Sequence, residues 1–192
     1  MNLKVIAQLI IALFFTFNCN SQNKIYKTDK EIINSNWEIL EFNKINVQLE
    51  FPNKQIEISN DKLKTKDYGK ALRKTIQWNY LKNDNFLNSF YTFNYIQYPK
   101  YKFDITKIDE FYENKIQSLL NDLKGILIYQ KNVEYENYAG VEISYSLSGY
   151  GVIITQRIFL IDNIEYSLSV FTPEKFENNS LISKFFSSFE LK

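Results

Sequence analysis

The chain has 192 residues, with 23 Lys and Arg against 22 Asp and Glu, so a formal net charge of +1 leaves no global field that would gather a polyanion such as duplex DNA. It contains no histidine and a single cysteine, which removes the commonest general base, the commonest metal ligand and any internal disulfide together. Only 5 Gly are present, too few to write a phosphate loop or a dinucleotide fingerprint, and the 14 Tyr and 16 Phe accompany abundant Asn, Lys and Ile as AT-rich codon usage would produce, not as a binding stripe.

Met1-Asn2-Leu3-Lys4 supplies one positive charge, Val5 to Phe17 is apolar except for Gln8 and Thr16, and polarity returns at Asn18-Cys19-Asn20-Ser21-Gln22-Asn23. This order of charged, apolar and polar segments is that of a secretory signal, here residues 1–19. The apolar run is shorter than the ~20 residues a membrane-spanning helix needs, so cleavage is expected over permanent anchoring. Cys19, at the end of the run, resembles the lipid-attachment cysteine of bacterial lipoproteins, although Asn18 stands where those proteins usually carry Gly, Ala or Ser. Two readings follow: lipidation at Cys19 with a membrane-anchored product, or cleavage after Ser21 or Gln22 with a product free in the periplasm or outside the cell. Residues 20–36 are polar and without period, as a tether is, and residues 37–192 form one domain without disulfides. Loss of Lys4 brings the mature charge to about zero.

Within the domain, Val47, Leu49 and Phe51 alternate with Gln48 and Glu50 before Pro52, which predicts a strand with one buried face; Ile56 and Ile58 add a short second one. Residues 61–73 are polar and basic and read as a loop or short helix. Ile76, Trp78 and Tyr80 form a strand, Leu81 to Asn85 a hairpin loop, and Phe86 to Tyr98 a strand with Tyr91, Phe93 and Tyr95 on one face. The period then changes: Ile105, Ile108, Phe111, Tyr112, Ile116, Leu119, Leu120 and Leu123 predict an amphipathic helix packed on a sheet, with Asp104 or Thr106 as N-cap and Gly125 just past its end. Four more strands follow, over Ile126 to Tyr135 (the least regular), Val141 to Leu147, Val152 to Ile161 and Ile164 to Val170, with turns at Gly149-Tyr150-Gly151 and Asp162-Asn163. The third is apolar on both faces apart from Thr155, Gln156 and Arg157, as a central strand covered on two sides would be. A short helix around Leu181, Ile182, Phe185 and Phe186 closes the chain. Strands, helix, strands, helix is an α+β arrangement, an antiparallel sheet with helices on its faces.

Several of these pieces together resemble one family. Phe51-Pro52 ends a strand; an amphipathic helix lies mid-chain; Ala139-Gly140-Val141-Glu142 opens a strand; Arg157-Ile158-Phe159-Leu160 is followed by Asn163 and Tyr166; and Lys184-Phe185-Phe186-Ser187-Ser188-Phe189-Glu190-Leu191 closes the domain. From Trp37 to Lys192 the chain is similar to the PsbP-like family, first known from an extrinsic photosystem II subunit and found in small exported bacterial proteins. The resemblance implies an α/β/α sandwich and a non-enzymatic role as an assembly factor or partner-binding module. It marks Gly140, Glu142, Arg157 and Tyr166 as family-pattern positions, and the metal sites of some relatives have no histidine here to match.

Each candidate site also has a structural reading. Gly140 suits a turn or bulge at a strand start, and Arg157 in a central strand needs a carboxylate, Glu142 or Glu165, across the sheet. Asp104, Asp109, Glu110 and Glu113 could be grouped as a carboxylate cluster, but a helix N-terminus favours acidic residues without any site. Lys62, Lys64, Lys66, Lys70, Arg73 and Lys74, diluted by Asp61 and Asp67, read as a solvated segment, or as a contact for anionic lipid headgroups or an acidic partner. Ser187 and Ser188 have no histidine base and no nucleophile elbow. The sequence therefore points to a non-enzymatic exported protein without cofactor or metal that binds or stabilises another protein of the cell envelope; a carrier of a small apolar ligand or lipid is the alternative, and an enzyme a third reading.

Overall fold

A computed structural model describes residues 37–52, 56–65, 68–79, 88–100 and 105–192. The export signal, Cys19, the tether and the loop from Leu81 to Asn85 lie outside them. Among the described residues the order is β1 (Glu38–Phe42), β2 (Val47–Phe51), β3 (Ile56–Thr65), β4 (Gly69–Asn79), β5 (Phe90–Gln97), α1 (Ile108–Leu123), β6 (Gly125–Tyr135), β7 (Tyr138–Leu147), β8 (Val152–Ile161), β9 (Ile164–Pro173), α2 (Ser180–Ser187) and β10 (Glu190–Leu191). Seven strands form one sheet in the order β3-β4-β5-β9-β8-β7-β6, and β1-β2-β10 form a second. Every pairing is antiparallel.

The strand period assigns side chains to the two faces of the large sheet. One face carries Ile76, Trp78, Tyr91, Phe93, Phe159, Leu168 and Val170, packed against Val47, Leu49 and Phe51 of β2 and Ile182, Phe185 and Phe186 of α2. The other carries Val141, Ile143, Tyr145, Ile154, Ile158 and Leu160, and its contact with α1 is filled by Phe111, Tyr112, Ile116 and Leu119. β8 contributes to both clusters, as its doubly apolar sequence requires. Asn179 caps α2 by accepting from the Leu181 amide, and buried Asn88 ties that cap to the sheet: it donates to Tyr91 Oη at 2.8 Å and accepts from Thr172 Oγ1 at 2.6 Å and from Asn179 at 2.8 Å.

Four expectations are corrected. Of residues 61–73, 61–65 belong to β3 and 69–73 to β4, a long antiparallel pair with Asp61 opposite Arg73 and their side chains 2.9 Å apart, while Lys66 and Asp67 lie outside the described residues; most of β3 is exposed, so no apolar alternation marks it as a strand. β1 and β10 were not anticipated and make the single sheet two, because β1 mixes acidic residues into both faces and β10 is only 2 residues long. Helix α1 starts from Lys107, without a side-chain cap, after a 3-10 turn over Ile105–Lys107; Thr106 lies inside that turn and Asp104 outside the described residues.

Finally, the left-handed residue ending α1 is Lys124, with φ 51° and ψ 40°, while Gly125 opens β6 and its missing side chain leaves room for Tyr145, whose ring would lie 2.9 Å from an added Cβ. A side chain at a left-handed position is disfavoured, so Lys124→Gly is expected to raise stability by about 0.5–1 kcal/mol. Urea unfolding measures this directly; a lower midpoint in the variant would contradict the assignment. The expected turns hold, with positive φ at Gly149, Gly151 and Asp162.

Candidate functional site

Register places the four family-pattern residues on one face of the large sheet, in two adjacent rows. Lys131, Glu142, Arg157 and Leu168 are successive partners across β6, β7, β8 and β9. In the next row Val133, Gly140, Phe159, Tyr166 and Tyr95 follow one another across β6, β7, β8, β9 and β5. The hairpin turns bring these residues into line without any further constraint.

The first row is a charged cluster. Glu142 is 3% exposed, its Oε2 accepts from Arg157 Nε at 2.5 Å, and its Oε1 accepts from Lys131 Nζ at 2.7 Å and from Tyr129 Oη at 2.9 Å. The Arg157 guanidinium also lies over the Phe186 ring, 4.7 Å from its centre, so α2 fixes the plane in which it meets the carboxylate. Burial alone would raise the Glu142 carboxyl, but the hydrogen bonds from Lys131, Arg157 and Tyr129 and the Arg157 charge together hold it below its usual value of 4.5. The Tyr129 hydroxyl is pushed up to about 12 by burial and by the same carboxylate, so it stays a donor.

Because the folded value is depressed, the stability this carboxylate contributes is complete above the unfolded value near pH 4.5 and disappears as pH falls through the lowered folded value. Glu142→Gln is therefore expected to be destabilised relative to wild type at pH 7 and to lose less on acidification. Urea midpoints at pH 7 and pH 3 check the sign, and curves that stay parallel for the two proteins would refute it.

The second row is aromatic. An added Cβ on Gly140 would lie 2.4 Å from Phe159 Cδ1 and 2.7 Å from the Ile158 carbonyl oxygen. The glycine is therefore not a turn or bulge residue: it lies inside β7 without positive φ, and its role is to let Phe159 cross its backbone. Phe159 stacks on Phe189 with centroids 6.1 Å apart, and Tyr166 packs edge-on to Tyr95 at 5.7 Å and against Phe189 at 5.6 Å. Burial pushes the Tyr166 hydroxyl up to about 12, so it titrates at no physiological pH.

Glu165, the other partner considered for Arg157, faces α1 on the opposite side of the sheet. It is 1% exposed, accepts from Tyr98 Oη at 2.6 Å and pairs with Lys115 Nζ at 2.8 Å. Burial, followed by the Glu165 charge, raises the Tyr98 hydroxyl far above its ordinary value. The two-residue turn at Asp162-Asn163 could have excluded Glu165 from the sequence alone, since it pairs Ile161 with Ile164 and hence Arg157 with Leu168. Lys131 and Tyr129 were missed because a bulge between Leu127 and Tyr129 breaks the alternation of β6.

Asp109, Glu110 and Glu113 are exposed at the start of α1 and gather around nothing. Among the described residues no three Asp, Glu or Cys side chains converge as metal ligands would, and no helix is long and apolar enough to cross a membrane. With both buried carboxylates held by cations and phenols, the arrangement can lock strands together and can present Lys131, at 56% side-chain exposure, to another molecule.

No protein-family model and no curated protein matches this chain. Among solved structures it is similar to cyanobacterial PsbP (CyanoP) from Synechocystis, at 12% identity over 92% of this chain and 99% of that chain, with a TM-score of 0.56. A Pseudomonas aeruginosa protein of unknown function is also similar, at 12% identity over 77% of this chain and 90% of that chain, with a TM-score of 0.38 that is too low to bear on the fold. The CyanoP likeness, together with the antiparallel sheets and two helices, establishes that the chain has the PsbP-like fold within the α+β class.

Proposed function

We propose that this protein is a non-enzymatic module of the cell envelope, exported by its N-terminal signal and held at the membrane through lipid on Cys19, whose α/β/α sandwich binds and stabilises another envelope protein. The observation that carries the reading is an exposed apolar run on β6: Ile126, Leu127 and Ile128 are 60%, 41% and 48% exposed. Ile39, Ile58, Leu72 and Tyr138 are exposed one at a time along the chain, whereas three consecutive apolar residues in solvent have the character of a surface that is covered in use. The saturated state of Glu142 and Glu165 supports the same reading, since their hydrogen-bonding capacity is used within the domain.

Chemical cross-linking of intact envelopes, followed by purification of the full-length protein, is expected to recover one specific partner that a Cys19-lipidated fusion lacking residues 37–192 does not. Recovery of the same proteins by both would end the partner-binding reading. Radiolabelled palmitate is expected to enter the wild type and not Cys19→Ala, which separates a lipid tether from a free N-terminus.

A further inference from the structure

We propose, building on the partner-binding reading, that β6 docks an extended acidic strand of the partner by adding it to the edge of the seven-stranded sheet. β3 and β6 are the two edges of that sheet. They are treated differently. β3 surrounds its exposed Ile58 with Glu57, Ser59 and Asn60 and continues into Lys62 and Lys64, the polar and charged residues that discourage strand addition. β6 places Ile126, Leu127 and Ile128 consecutively in solvent. Ile126 and Leu127 pair with Ser146 and Tyr145 and so lie on opposite faces of the edge, and Ile128 is the extra residue of the bulge that follows them.

The charges select the partner. Along the chain the apolar run is bracketed by Lys124 and Lys131, and the carboxylates of β6 and its following turn, Glu134 and Glu136, lie beyond its far end. A second copy is the poorer occupant: in the antiparallel register that pairs Leu127 of one copy with Ile128 of the other, Lys124 falls opposite Lys131, and like charges directly opposite are destabilising. The complement is an apolar strand flanked by Asp or Glu, whose main chain takes up the unpaired edge amides and carbonyls. Lys131 is free to turn toward it. When Nζ leaves Glu142, the Arg157 Nε bond and the Tyr129 hydroxyl keep that buried carboxylate satisfied.

The test uses the full-length, isotope-labelled protein and two synthetic peptides, acetyl-Glu-Val-Thr-Val-Ile-Val-Thr-Glu-amide and the same peptide with Lys for both Glu. The acidic peptide is expected to slow amide exchange along β6 by about tenfold or more and to leave β3 unchanged, with the lysine peptide inactive. Lys131→Glu is expected to weaken acidic-peptide binding by about tenfold or more, and Leu127→Asp, which leaves the Glu142 cluster intact, to weaken it similarly. Protection absent from β6, equal at β3, equal with the lysine peptide or unaltered in both variants overturns strand docking. If envelopes nevertheless yield a specific partner, the wider reading survives that failure; β6 protection without an envelope partner is the converse result and sinks only the wider reading.

Discussion

Gly140→Ala is expected to destabilise the domain by about 2–4 kcal/mol, although it adds one methyl group to a strand that glycine ordinarily weakens. The usual gain from replacing a strand glycine is overwhelmed because the new Cβ would meet Phe159 Cδ1 at 2.4 Å and the Ile158 carbonyl oxygen at 2.7 Å. The ring cannot swing away without losing its stack on Phe189 and its contact with Tyr135. The carbonyl cannot move without disturbing the β7-β8 ladder, in which Gly140 pairs with Phe159. Urea unfolding of Gly140→Ala, Phe159→Leu and the double variant measures both parts: the leucine is expected to relieve the ring clash and not the backbone one, so the double variant recovers only a fraction of the loss. A Gly140→Ala protein as stable as wild type would show that β7 and β8 do not approach as described.

Glu142→Ala is expected to cost about 2–3 kcal/mol, less than the ~3–5 kcal/mol of a wholly buried broken pair because the Arg157 side chain keeps 28% exposure and Lys131 is mostly in solvent. For a domain of this size that loss lowers the thermal midpoint by roughly 4–12 °C. The mechanism makes a second, sharper expectation. Removing the carboxylate strands the Arg157 guanidinium under Phe186 beside a second cation, whereas Glu142→Ala combined with Arg157→Met removes both members of the pair and lets the methionine keep contact with the ring. The double variant is therefore expected to be more stable than Glu142→Ala alone. Thermal unfolding of the three proteins decides it, and a double variant that is less stable than the single would mean that Arg157 contributes by packing and not by its charge.

Both predictions concern residues visible in the sequence, but they were visible to different depths. Gly140 and Glu142 were picked out by a family pattern that carries no mechanism. Arg157, a lone cation in an otherwise apolar strand, announced its need for a carboxylate on physical grounds, and strand pairing met it with Glu142. Tyr166 was legible as a family-pattern position and as part of a buried face of β9; its neighbours Phe189 and Tyr95 come from distant parts of the chain. The helix α1 and strands β2, β7 and β9 were readable because their apolar residues recur with a period of 3.6 or 2, and β8 because it is a nearly continuous apolar run between two turns. Strand β3 prints none, being mostly exposed, and the bulge scrambles the pattern of β6 at the point where its edge becomes apolar.

By itself, then, the sequence determined the alternating apolar faces, the turns at Gly149-Tyr150-Gly151 and Asp162-Asn163, and the class of fold that follows from strands, helix, strands, helix. These are local matters, settled by side-chain period and backbone freedom within a few residues. The tertiary structure alone decided that Lys131 and Tyr129 join Arg157 around Glu142, that Phe186 and Phe189 cover the two rows from the far end of the chain, and that the glycine at 140 serves a ring and not a turn. Each of those depends on register across a bulge or on a contact between remote segments, where a shift of one residue sends a side chain to the opposite face of the sheet.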